Sequence, residues 1–77
     1  MTMYAIRKRY QVPAKRGMRV EYLARSDGEL MLGTITQACG FRLRVLLDGN
    51  RKSLLFHPTY RLQYLLNDGS RFIPEDD

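Results

Sequence analysis

With 77 residues, of which 44% are hydrophobic and 27% charged, the chain has room for one small domain and is too apolar to be disordered along most of its length. Thirteen Lys and Arg against eight Asp and Glu give a formal charge of +5, which favours polyanionic partners. One cysteine, Cys39, and one histidine, His57, exclude an internal disulfide and a Cys/His metal site, and apolar runs such as residues 54–56 fall far short of the roughly 20 residues of a membrane span. No apolar stretch of the signal-peptide kind occurs near the N-terminus, so the expected setting is cytoplasmic and reducing, with no cofactor and no membrane partner.

The charge is uneven. Residues 1–20 hold Arg7, Lys8, Arg9, Lys15, Arg16 and Arg19 and no acidic residue, whereas the chain ends in Glu75, Asp76 and Asp77. Residues 1–16 read as a basic N-terminal arm, residues 17–66 as the folded domain and residues 67–77 as a C-terminal tail able to dock through Phe72 and Ile73. Within the arm, residues 3–13 (MYAIRKRYQVP) fit either an extra edge strand or an ordered arm leading into the domain.

From Arg19 onward the apolar residues recur with period two, which predicts strands with one buried and one wet face. In RVEYLAR, Val20 and Tyr22 share one face and Arg19, Glu21 and Leu23 the other, and Ser26-Asp27-Gly28 supplies the turn. Residues 29–38 (ELMLGTITQA) continue as a bent strand, with Gly33 marking a bulge or a close backbone approach. In FRLRVLLDGN, Leu43, Val45 and Leu47 alternate with Arg42, Arg44 and Leu46, so two guanidinium groups share the exposed face. Asp48-Gly49-Asn50 then returns the chain into residues 51–56, an antiparallel partner. Pro58, which lacks an amide hydrogen, predicts a short 3₁₀ turn over residues 57–59 before the alternating YRLQYL, which stops at Asn67-Asp68-Gly69. Five short strands with Gly and Asp turns imply an all-β barrel or sandwich, closure being the natural way for so small a chain to remove its sheet edges.

The succession of GMRVEY, GTITQACGFRLRVLLDG, a short turn and YRLQYL resembles SH3-like barrels, and GTITQACGFRLRVLLDG is similar to the glycine-anchored hairpin of KOW-type modules in ribosomal and transcription-elongation proteins. The first likeness covers residues 17–66 and the second a single hairpin. Together they imply a five-stranded barrel whose partner is RNA, DNA or a protein of a nucleic-acid-processing complex. In size, compactness and basic arm the chain is also similar to accessory proteins of bacteriophages and prophages.

No catalytic set emerges. His57 stands alone beside Pro58 and reads as a turn or packing residue, and Cys39 has no base or orienting group among its neighbours Ala38, Gly40 and Phe41. The expected function is non-enzymatic. Nucleic-acid binding needs cations to replace condensed counterions, and Arg7, Lys8, Arg9, Lys15, Arg16, Arg42, Arg44, Arg51, Lys52 and Arg61 are the candidates. Tyr4 and Tyr10 could stack on bases, while Tyr22, Tyr60 and Tyr64 read mainly as core. The alternative is a protein-interaction module, an adaptor or inhibitor, using Leu23, Met31, Leu46 and Leu65 together with arginines; a homodimer through an edge strand suits either reading.

Overall fold

In a computed structural model, residues 3–24 and 28–74 are described. The SDG turn falls outside them apart from Gly28, as does the acidic end at residues 75–77.

Among these residues, helix α1 (Met3–Tyr10) is followed by six strands: β1 (Arg19–Ala24), β2 (Glu29–Cys39), β3 (Arg42–Leu47), β4 (Leu54–Phe56), β5 (Leu62–Leu65) and β6 (Arg71–Phe72). All five pairings are antiparallel, in the order β4-β3-β2-β1-β5-β6.

Of the two alternatives for residues 3–13, an extra edge strand or an ordered arm leading into the domain, the edge strand is corrected by α1. Met3, Ile6 and Tyr10 recur at helical spacing, and Ile6 is wholly buried. Arg7, Lys8 and Arg9 sit in the last turn, where cations meet the negative end of the helix dipole. Gln11 ends the helix at φ 54°, a left-handed position usually given to glycine, and Pro13 follows. Eight residues are too few for an isolated helix to persist, so docking holds this one: Ile6, Val12 and Ala14 are buried in one core with Val20, Ile35, Leu43, Val45, Leu47, Leu62 and Tyr64.

The alternation read from sequence is what places the core. On β3, Leu43, Val45 and Leu47 are buried, while Arg42, Arg44 and Leu46 face outward. On β2 the alternation shifts between Ile35 and Gln37, where Thr36 is the extra residue and its hydroxyl donates to the Arg44 carbonyl at 3.0 Å. Gly33 marks a close approach: a Cβ there would lie 2.8 Å from Val45 Cγ1 and 3.0 Å from the Leu46 carbonyl oxygen.

The five-stranded closed barrel is also corrected, to six strands in a sheet that is not closed by hydrogen bonds. The Asn67-Asp68-Gly69 turn sends the chain back along β5, and β6 takes the edge that β4 would need. The sheet nevertheless curls until Tyr22 of β1 meets Phe56 of β4, ring centroids 4.7 Å apart. Before β5 there is a single turn closed by the Tyr60 amide donating to the His57 carbonyl. Of the tail, Phe72 packs against the core and Ile73 is exposed.

Candidate nucleic-acid interface

The distal half of the β2–β3 hairpin organises the cationic surface. Register places Arg44 between Gln37 of β2 and Leu55 of β4, and Arg42 opposite Cys39, all on the outer face. The lead-in to β1 runs beside this half of β2: the Gly17 amide donates to the Ile35 carbonyl, and Arg16 Nε donates to the Thr36 carbonyl at 3.0 Å. Arg16, Arg42 and Arg44, spread over 28 positions of sequence, thus gather around one hairpin. At its tip, Arg9 of α1 stacks its guanidinium over Phe41, 4.8 Å from the ring centroid.

The segments that build this surface carry no opposing charge of their own, since neither residues 1–20 nor residues 30–47 contain an acid. Among the described residues, two carboxylates are already matched by arginines. Asp48 receives both terminal nitrogens of Arg19, at 2.9 and 2.6 Å, and this bidentate bond holds its carboxyl below the usual aspartate range. Glu21, on the outer face of β1 yet buried, pairs with Arg71 of β6. The sequence pointed to neither pair, because Arg19 and Asp48 lie 29 residues apart and Glu21 and Arg71 lie 50 apart. Only strand register brings them together.

The remaining candidates divide. Arg7 is half-buried and donates to the Ala14 carbonyl at 2.8 Å, which ties α1 to the lead-in and gives it a structural task. Lys8 is exposed above the Tyr4 ring, and Lys15 is exposed beside Arg16. Arg51 and Lys52 are exposed in the β3–β4 connection, at the end of β3 remote from Arg42. Arg61, at φ 57°, accepts the Leu23 amide through its carbonyl and directs its Nε to the Tyr60 hydroxyl. Leu23 pairs with Leu30, at the opposite end of β2 from the Cys39–Arg42 pair, so Arg61 stands apart from the hairpin cluster.

Aromatic residues divide as well. Tyr4 and Tyr60 are exposed, Tyr60 at 50%, whereas Tyr64 is fully buried and Tyr22 packs on the core. Tyr10 is half-buried, edge-on to His57 at 5.0 Å and to Phe41 at 6.5 Å, and so joins α1 to the hairpin tip and the β4–β5 turn. His57 Nδ1 lies 3.2 Å from the Thr59 amide and 3.1 Å from its hydroxyl, which makes it the cap of that turn.

For the protein-interaction reading, the leucines are redistributed. Met31 faces the core side, and Leu23, Leu46 and Leu65 are half-buried. Those most exposed are Leu30, Leu32, Leu54 and Leu55, at 41–48%. Among the described residues no helix is long and apolar enough to cross a membrane, and no group of three or more His, Cys, Asp or Glu is placed to hold a metal.

No known protein family, curated protein or solved structure matches the chain.

Proposed function

We propose that this chain is a small non-enzymatic nucleic-acid-binding domain on an SH3-like sheet, which takes the phosphate backbone along the outer face of the β2–β3 hairpin. The observation that carries the reading is the gathering of Arg16, Arg42 and Arg44 around one hairpin whose own strands beyond Glu29 hold no acid, with Arg9 at its tip. Released counterions would supply most of the affinity, so binding is sequence-tolerant and steeply salt-dependent. A long bent β2, a glycine pressed against the neighbouring strand and a single turn ahead of β5 support the SH3-like and KOW-type part of the reading. A single exposed Cys39 fits a reducing, cytoplasmic setting.

Electrophoretic mobility shift with short single- and double-stranded DNA and RNA at two salt concentrations tests this. Binding that weakens with salt and falls in Arg42→Ala and Arg44→Ala is expected; no binding at low salt to any of the four would discard the reading. One observation favours the second reading, a protein-interaction module: the exposed leucines on β2 and β4, since Leu30, Leu32, Leu54 and Leu55 supply apolar area that phosphate contacts do not use. Recovery of one stoichiometric protein partner from nuclease-treated lysate, lost in Leu55→Lys, would favour it.

A further inference from the structure

Beside the hairpin cluster lies an open cleft of about 530 Å³, between the lead-in to β1 and the end of β5. Its size is within the range of small-molecule sites, roughly 300–1,000 Å³. Lys15 and Arg16 stand at it, together with Arg19, Met18, Leu66 and Asn67, and among the described residues no acidic side chain lines it. The charge of Arg19 is matched by Asp48, so Lys15 and Arg16 are the cations left to meet an anion. The Asp68 carboxylate, next in sequence to Asn67, is turned to the amide and hydroxyl of Ser70.

We infer that this cleft takes one nucleotide of an unpaired strand, its phosphate on Lys15 and Arg16, its base on the apolar floor and its edge against the Asn67 amide. The inference rests on the nucleic-acid reading and names its substrate class as single-stranded. Three features point past a bare anion site. Met18, Leu65 and Leu66 present apolar surface that a phosphate alone has no use for, and a methionine sulfur contacts an aromatic ring favourably. The Nε bond of Arg16 to the Thr36 carbonyl restrains a guanidinium plane of the kind on which unpaired bases stack. Asn67 offers both a donor and an acceptor, which is what a base edge requires. In a duplex the bases are stacked and paired, so none can enter; in a single strand one can be turned out. The cleft also shares Arg16 with the hairpin cluster, so the backbone on one side of that nucleotide would continue toward β2 and β3.

The test is a titration of the isotope-labelled full chain with 5′-mononucleotides and, separately, with inorganic phosphate, followed by amide NMR. It is paired with affinities for a single strand and a duplex of equal length. Nucleotides should shift the Gly17, Met18, Leu66 and Asn67 amides well beyond what phosphate does. The single strand should bind tighter than the duplex, and Lys15→Ala and Asn67→Asp should each remove roughly tenfold of that preference while retaining the wild-type amide spectrum elsewhere. Equal shifts with phosphate, or polymer binding that is indifferent to strandedness and to both variants, would overturn the inference and leave the wider reading standing. Mononucleotide shifts at the cleft without any polymer binding would do the reverse, sinking the wider reading and retaining a nucleotide site.

Discussion

The Tyr64 hydroxyl donates to the Pro58 carbonyl at 2.6 Å, joining the centre of β5 to the turn that precedes it in a fully buried setting. The turn over residues 57–60 can therefore bury Pro58 without leaving its carbonyl unpaired. Replacing Tyr64 by Phe keeps the ring and its contact with Phe72 but strands the acceptor, which should cost about 1–3 kcal/mol. Burial also raises the Tyr64 pKa above the ordinary 10.0. An unfolded tyrosine then ionises before the folded one, so stability should fall as pH climbs past that value, and Tyr64→Phe should flatten the slope. Urea melts of both proteins across alkaline pH check the two effects together.

Acid acts on a different pair, one position along from the row of Tyr64, Val20, Gly33 and Leu47. The bidentate Arg19 bond lowers the Asp48 pKa in the folded chain, so its contribution is present above the unfolded value of 3.8 and disappears as pH drops through the lower folded value. Both partners are exposed, and the effect is therefore small. Asp48→Asn should leave the thermal midpoint at neutral pH only slightly lower and weaken its dependence on pH below about 4. A midpoint that still falls as steeply in acid as that of the parent would show that other carboxylates govern the loss.

Gly33 is a steric requirement. Its backbone takes no left-handed angle, yet an added Cβ would meet Val45 Cγ1 at 2.8 Å and the Leu46 carbonyl oxygen and Leu47 Cδ2 at 3.0 Å. Since Leu46 opposes with backbone, relief requires β3 to move. Gly33→Ala should destabilise by about 1–3 kcal/mol, read as a lower urea midpoint, whereas a neutral result would mean that the hairpin opens there at little cost.

This hairpin was the most legible part of the sequence, because strict alternation over Leu43, Val45 and Leu47 leaves one way to bury them and fixes Arg42 and Arg44 on the other face. The signal in Gly33 was legible too, as a residue without a side chain inside a strand. Helix α1 was not: two turns give only Met3, Ile6 and Tyr10 as core-facing positions, too few to separate period 3.6 from an edge strand, and Gln11 stands where a glycine would announce a helix end. β6 was hidden for a related reason, since two residues carry no period. The site was divided in the same way. Arg42 and Arg44 could be paired from alternation alone, but Arg16 joins them only through the register of residues 16–18 against β2, and the cleft depends on a juxtaposition of residues 13–19 with 65–67 that no local pattern encodes.

Buried charge gives a further measurable consequence. Glu21 is 7% exposed and pairs with Arg71, which also lies 3.4 Å from the Gln63 side-chain oxygen. Taking Arg71 away leaves a carboxylate under the sheet edge without its cation, which should cost about 1–3 kcal/mol after allowance for the half-exposed arginine. Arg71→Ala combined with Glu21→Gln should recover most of that loss. If the double variant is no more stable than the single one, Arg71 acts through its packing on β6 and its charge is incidental.

Two neighbours on α1 separate scaffold from binding. Arg7 reaches inward to the Ala14 carbonyl, whereas Arg9 lies exposed over Phe41 at the hairpin tip. Removing the first should loosen the helix: Arg7→Met is expected to lower stability by about 1 kcal/mol and to change nucleic-acid affinity only as far as α1 undocks. Removing the second should spare the fold and cut binding, because one fewer phosphate contact reduces the dependence of log affinity on log salt by roughly 0.7–0.9. Thermal melts and salt-titrated binding of Arg9→Ala and Arg7→Met therefore form a crossed pair. Should Arg9→Ala leave the salt slope of the parent unchanged, Arg9 would be excluded from the interface, and Arg16, Arg42 and Arg44 would have to carry the binding at the hairpin without it.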